Sequence, residues 1–224
     1  MASYDVKVGE SHKIYIKRRF RVSKFLKLNS VREIMGRNLL GVDVAVRRFN
    51  VSMTNEIAKA FSVIPFTEEV LEATKNDHIL IADFGISLLD VRGRVKDGLF
   101  CDQHLGFCES YGWAEEQETP QWRLIRKAEV PNSRKKNWGK QQHLLQTNEV
   151  VPMVRQMAYA IMLNCLENNE RLFKRIWVRT SNVNSYGDSF SLGIFDKDGL
   201  RIIDWDDSND DSSIGLASAK EPNL

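Results

Sequence analysis

Apolar and polar residues alternate with period two from Lys13 to Phe25, where Ile14 and Ile16 and then Phe20 and Val22 are set among cations. That spacing predicts an extended, strongly basic strand, preceded by a frayed or edge segment over residues 1–12. Ser30 followed by Glu33 has the form of a capping box, which predicts a short helix running to Gly36 or Asn38. Val42, Val44 and Val46 alternate with Asp43, Ala45 and Arg47, and this β-branched run predicts a second strand reaching Phe49 and Val51. Thr54 stands where the N-cap of a helix to Phe61 belongs. Thr67, with Glu68 and Glu69 behind it, stands likewise before a helix to Lys75. The most apolar extended stretch, His78 to Leu89, predicts a central strand pair or one long bent strand, with Gly85 at a bulge or a close approach.

Residues 93–149 carry a weaker pattern: a turn at Lys96, Asp97 and Gly98, a short strand over Trp122 to Ile125, and a loop from Pro131 to Gly139. Beyond Thr147 the period becomes helical. Val150, Val154, Met157, Ala158, Ile161, Cys165, Leu172 and Ile176 recur at helical spacings and predict one amphipathic helix of about seven turns, with Pro152 in its first turn. Phe190, Leu192 and Ile194, then Asp198-Gly199, then Leu200, Ile202 and Ile203 spell a β-hairpin. Asp206 to Leu224 is acidic and Ser-rich and reads as disordered. The expectation is an α+β fold, a mostly antiparallel sheet core with one long amphipathic helix, forming a single globular domain over residues 1–205 with an acidic disordered tail over 206–224.

Composition narrows this little. With 42% hydrophobic and 28% charged residues in 224, the chain can bury a sizeable core and is not globally disordered. No window reaches the roughly 18 consecutive apolar residues of a membrane span, and the polar start lacks the apolar run of a secretory signal. The expected location is intracellular, in the cytoplasm or at a cell junction or membrane periphery of a host cell. Three cysteines do not make a disulfide framework, which agrees with a reducing compartment.

Charge changes the picture. The first fifty residues hold twelve Lys and Arg against four Asp and Glu, a local charge of +8 in a chain whose total is +2. Lys17, Arg18, Arg19, Arg21, Lys24 and Lys27 lie in its densest part, with Tyr15, Phe20 and Phe25 between the charges. A second basic cluster contains Arg123, Arg126, Lys127, Arg134, Lys135, Lys136 and Lys140, with Trp122 and Trp138 among them. Cations neutralise phosphates and release counterions, and aromatic faces stack on unpaired bases, so single-stranded nucleic acid is the expected partner. The same charges suit an anionic membrane surface or a nucleoprotein, and self-association is also open. A solvated charged surface is the plain competing explanation. The last 24 residues reverse the sign, with two cations against six acids, and such a segment could compete for the basic one.

Catalytic constellations are thin. The chain has no G-x-S-x-G elbow, no H-E-x-x-H and no phosphate-cradling G-x-x-x-x-G-K-[ST], and no enzyme is expected. Asp83 and Asp90 flank Gly85, but in a strand their odd spacing puts them on opposite faces. Cys101, His104 and Cys108 offer three zinc-type ligands where four are needed, and His143 or Cys165 would have to complete them. Packed thiols and a surface histidine explain the same residues, so neither a metal nor another cofactor is expected. The acids from Asp204 to Asp211 lack the Gly and terminal Glu of a calcium loop.

Two stretches carry a family resemblance. Phe20 to Met35, FRVSKFLKLNSVREIM, looks like the N-terminal entry of the thirty-kilodalton superfamily of plant-virus cell-to-cell movement proteins. Ile86 to Arg92, ISLLDVR, resembles the strand that carries the family's characteristic aspartate, here Asp90 in a structural role. The resemblance implies a β-rich core, cooperative binding of single-stranded RNA or DNA, and transport of a viral genome between host cells without catalysis. The two pieces span about a tenth of the chain, and the long helix and the Cys101 to Cys108 window have no counterpart in the family pattern. The alternative class is a viral structural, matrix-like or accessory protein that meets membrane or nucleoprotein.

Overall fold

The computed structural model describes residues 4–8, 14–18, 26–101 and 110–222. Strands β1 (Tyr4–Val8) and β2 (Ile14–Arg18) pair antiparallel in a two-stranded sheet, so residues 4–8 of the expected frayed or edge segment form an edge strand. Phe20, Val22 and Phe25, which extend the expected basic strand, lie outside the described residues. Helix α1 (Leu28–Met35) and the 3-10 turn after it occupy the place expected of a short helix. Its N-cap is Lys27 rather than Ser30, and no side chain caps it.

The valine run is a helix, α2 (Val42–Phe49), not a strand. Its buried residues are Val44, Ala45 and Phe49, whereas Val46 is exposed. Burial at both parities fits a helical stripe and no strand face. Helices α3 (Asn55–Ala60) and α4 (Glu68–Thr74) start where their caps predict, with the Thr54 and Thr67 hydroxyls accepting from Ile57 N and Val70 N.

Two sheets make up the body. One has the order β3-β4-β5-β11-β6, with β3 at Leu39–Leu40, β4 at His78–Asp83, β5 at Gln121–Arg126, β6 at Glu149–Val150 and β11 at Ala219–Lys220. The other has the order β10-β7-β8-β9, with β7 at Trp177–Val183, β8 at Ser189–Asp196, β9 at Gly199–Trp205 and β10 at Ile214–Leu216. Most pairings are antiparallel, as expected, but β3 with β4 and β10 with β7 are parallel. The β8 and β9 hairpin closes at the expected Asp-Gly turn.

Three expectations fail here. The apolar stretch from His78 is a strand only to Asp83; the chain then turns into helix α5 (Leu88–Gly93), capped by Ser87. The expected helix of seven turns is α7 (Val154–Asn168), 15 residues ended by Asn169 in the left-handed conformation, so Leu172 and Ile176 pack from a loop. It is not amphipathic either. Val154 through Asn164 are buried without a break, because α7 packs on α2 and α5 and against strands of both sheets. Helix α6 (Trp138–Gln142) takes up the end of the expected loop. Finally, the acidic C-terminal segment is not a disordered tail throughout. Strands β10 and β11 belong one to each sheet, and Ile214, Leu216 and Ala217 are fully buried. A domain ending at residue 205 would leave both sheets incomplete.

Candidate nucleic-acid interface

The expected binding residues separate into three groups. Arg19, Arg21 and Lys24 lie outside the described residues, and Lys17 and Arg18 fall on β2, opposite Asp5 and Tyr4. Lys27 is exposed at the start of α1. Trp122 is a correction: it is 3% exposed, its ring edges against Phe61 and its indole N–H donates to Phe61 O at 3.2 Å, so it offers no face for a base.

Arg134 to Lys140 form one surface loop leading into α6. Asn132 and Lys135 both adopt positive φ, which folds the loop sharply. Ser133 is buried beneath it, its hydroxyl accepting from Leu216 N at 3.0 Å and its carbonyl accepting from the side-chain amide of Gln141 at 2.9 Å. Asn137 caps α6 through Lys140 N. The loop rests on Arg179, a side chain with no solvent exposure. Its guanidinium donates to the carbonyls of Lys136, Asp206 and Asn209 and to Gln141 Oε1 at 2.9 to 3.3 Å. Burial lowers the pKa of Arg179 against the pull of Asp207, Asp206 and Asp188. It stays charged at any working pH.

Above this support the side chains are unequal. Arg134 is held by Glu129 at 2.5 to 2.8 Å. Lys135, Lys136 and Lys140 form no ion pair among the described residues, and Trp138 is half-exposed at the first position of α6. Next to them runs the acidic segment: Lys135 N–H donates to Asp211 O at 3.2 Å, and Trp138 N–H to Asp207 O at 3.0 Å.

A second cluster, missed from the sequence, lies where β4 ends. Asp83 is fully buried, and its carboxylate accepts from Arg155 Nη1 and Nη2 at 2.9 Å each, from Arg123 Nε at 2.6 Å and from Gly85 N at 3.0 Å. Glu118 meets Arg123 at 3.0 Å, contacts Arg155, and accepts from Gln156. Two carboxylates and two guanidinium groups therefore offset one another at the end of β4, Asp83 and Arg155 buried and Glu118 and Arg123 partly open to water. Burial alone would raise the pKa of Asp83. The Arg155 hydrogen bonds and charge, with Arg123 and Gly85, more than reverse this and hold it below the ordinary carboxylate value. With every lone pair engaged, Asp83 has no proton to give and no site for a ligand atom. Gly85 is obligatory beside it, because a Cβ at its φ of +72° would lie 1.8 Å from Glu118 O.

Asp90 sits on α5, not on a strand, and its carboxylate accepts from Ser87 N and Oγ and from Gln117 Nε2. Its role here is to cap a helix. Cys101 is half-buried and its N–H donates to Leu200 O at 3.0 Å, while His104 and Cys108 lie outside the described residues. Cys165, on α7, is half-buried, and burial raises its pKa. Among the described residues no three His, Cys, Asp or Glu side chains are grouped to hold a metal ion, and no helix is long and apolar enough to cross a membrane. Comparison with family models, curated proteins and solved structures finds no significant match to this chain.

Proposed function

We propose that this chain binds single-stranded nucleic acid without catalysis, with the loop from Arg134 to Lys140 as the folded part of the interface. One observation carries the reading. Three lysines without a carboxylate partner among the described residues, Lys135 and Lys136 on the loop and Lys140 on α6, stand on backbone fixed from below by a buried arginine. Fixed cations meet phosphates with little ordering cost, and each contact releases counterions. The half-exposed Trp138 adds an aromatic surface among them. Lys27, exposed before α1, is a further candidate cation. Transport of a viral genome between cells is the setting in which movement proteins use such binding. Residues 86–92 form a loop and α5 rather than the family's strand, so the proposal rests on the lysine loop and not on that resemblance.

The test is RNA affinity across a salt series for the triple variant Lys135→Glu, Lys136→Glu, Lys140→Glu, beside Arg134→Glu. Loss of three contacts flattens the plot of log affinity against log salt by about 2, since each single-strand contact contributes about 0.7. Arg134→Glu moves it less, because that charge already faces Glu129. A triple variant with wild-type affinity and slope overturns the assignment of the loop. Flotation with anionic vesicles in the absence of RNA binding would transfer these lysines to a lipid surface.

A further inference from the structure

We infer that Tyr186 is a stacking platform for an unpaired base, and that it gives the surface a preference for single strands over duplex. The inference rests on the nucleic-acid reading above and adds to it a residue that carries no charge and belongs to no basic cluster. Tyr186 is 90% exposed, while the other large apolar side chains exposed among the described residues reach at most 48%. It occupies the turn between β7 and β8, and that turn is rigid. The buried Asn184 accepts through Oδ1 from Tyr186 N at 2.8 Å and from Asp188 N at 3.0 Å. Its amide donates to Asp204 Oδ2 on β9 at 2.9 Å, and its backbone N–H donates to Asp188 O at 2.9 Å. An aromatic ring in water on a backbone fixed by four hydrogen bonds contributes nothing to the core, and its Cα position is set in advance for a flat partner.

The turn is bonded to the lysine loop by a short path. Asp188 Oδ1 accepts from Asp207 N at 3.2 Å, and Asp207 O accepts from Trp138 N at 3.0 Å. The Tyr186 turn and the half-exposed Trp138 are thus linked through hydrogen bonds, and Lys136 and Lys140 lie two residues before and after Trp138 in the chain. Stacking requires an accessible base face, which a single strand offers and a duplex withholds, and every base has such a face, so sequence matters little. Phosphate contacts act on both forms alike.

The experiment uses the full chain, a short oligouridylate and an RNA duplex of equal length, each titrated at several salt concentrations. Tyr186→Ala is expected to weaken oligouridylate binding by roughly 5- to 150-fold, the range set by removing one stacking aromatic. Its salt slope stays that of wild type, and duplex binding does not change. Tyr186→Phe retains the affinity because the ring is kept. Wild-type oligouridylate affinity in Tyr186→Ala, or an equal loss on the duplex, overturns the assignment; the first result would leave Tyr186, with the neighbouring exposed Val183, to a protein partner. If the wild-type chain binds neither probe, the nucleic-acid reading itself fails, which is a separate outcome.

Discussion

Asp83 and His78 stand at opposite ends of β4, and both are withdrawn from water. Asp83 is matched charge for charge. His78 is not: its Nδ1 lies 2.7 Å from Asp77 Oδ1, while its Nε2 has no hydrogen-bond partner among the described residues, and Arg126 and Lys220 add positive charge nearby. Burial, with those two cations, outweighs Asp77 and lowers the His78 pKa below its ordinary value of about 6.5, so the folded chain keeps it neutral where the unfolded chain takes up a proton. The sign follows: the unfolded state binds more protons, so stability present above about pH 6.5 falls as pH drops from there towards the lower folded value. Asp83, Asp77 and Glu149, all held below their ordinary values, bring a second loss below about pH 4. Urea unfolding at a series of pH values should show both windows; His78→Asn should flatten the upper one and change the lower one less, since His78 is one of the groups that hold Asp77 low while Asp83 and Glu149 keep their own partners. An unchanged upper window in that variant would exclude His78 as its source. None of this was legible in the sequence beyond the presence of Asp83 as a candidate carboxylate. Its partner Arg155 is 72 residues away, on a stretch that reads as amphipathic helix and gives no sign of which polar residue is buried.

At the scale of elements, local chemistry was readable wherever it decided the outcome. The threonine caps of α3 and α4, the strand β5 and the Asp-Gly hairpin all stand where the sequence places them, because each is fixed by a few neighbouring residues. Tertiary packing decided the others. Val42, Val44 and Val46 read as a strand by propensity, yet α2 forms because Ala45 and Phe49 are buried as well, against α7. The stop of α7 had a visible signal in Asn168 and Asn169, which the continued spacing of Leu172 and Ile176 masked. The C-terminal strands were hidden by the acidic run before them. They make a definite prediction: truncation after Ser213 removes β10 and β11, uncovers the edge of β7 and separates β5 from β6. Four buried apolar residues go with them, Ile214, Leu216, Ala217 and Ala219. Losing two Ile or Leu side chains alone costs about 3 to 6 kcal/mol, comparable to the whole stability of many domains. The truncated chain should therefore lose its cooperative unfolding transition, followed by circular dichroism. A truncated chain that melts like the full one would restore the idea of a dispensable tail.

Over the whole molecule the acidic C-terminal segment does not stand apart from every basic one, because it meets the second basic cluster. Folding lays the acidic segment from Asp206 to Asp211 directly on the cationic loop, through Lys135 N to Asp211 O, Trp138 N to Asp207 O and the Arg179 bridge between them. Backbone groups joined by such bonds lie well inside a Debye length of about 8 Å at physiological ionic strength, so the charge of this segment lowers the potential around the loop. Asp206, Asp210 and Asp211 are exposed, and Asp206 and Asp211 have pKa values lowered by hydrogen bonds from Ser208 and Ser213, so they are charged at neutral pH. Among the described residues no ion pair ties them to Lys135, Lys136 or Lys140, so on the proposed nucleic-acid reading the lysines meet phosphate against an opposing field. Neutralising the field without disturbing the turns is feasible, because Asn keeps the carbonyl oxygen that accepts from Ser208 N and Ser213 N. Asp206→Asn, Asp210→Asn, Asp211→Asn should accordingly bind single-stranded RNA a few-fold more tightly at low salt. The gain should shrink as ionic strength rises, because screening removes the field that the acids supply. Equal affinities of the triple variant and wild type at low salt would show that the acids do not weigh on the lysines. A gain that persisted undiminished at high salt would point to a structural change in the loop instead of electrostatics.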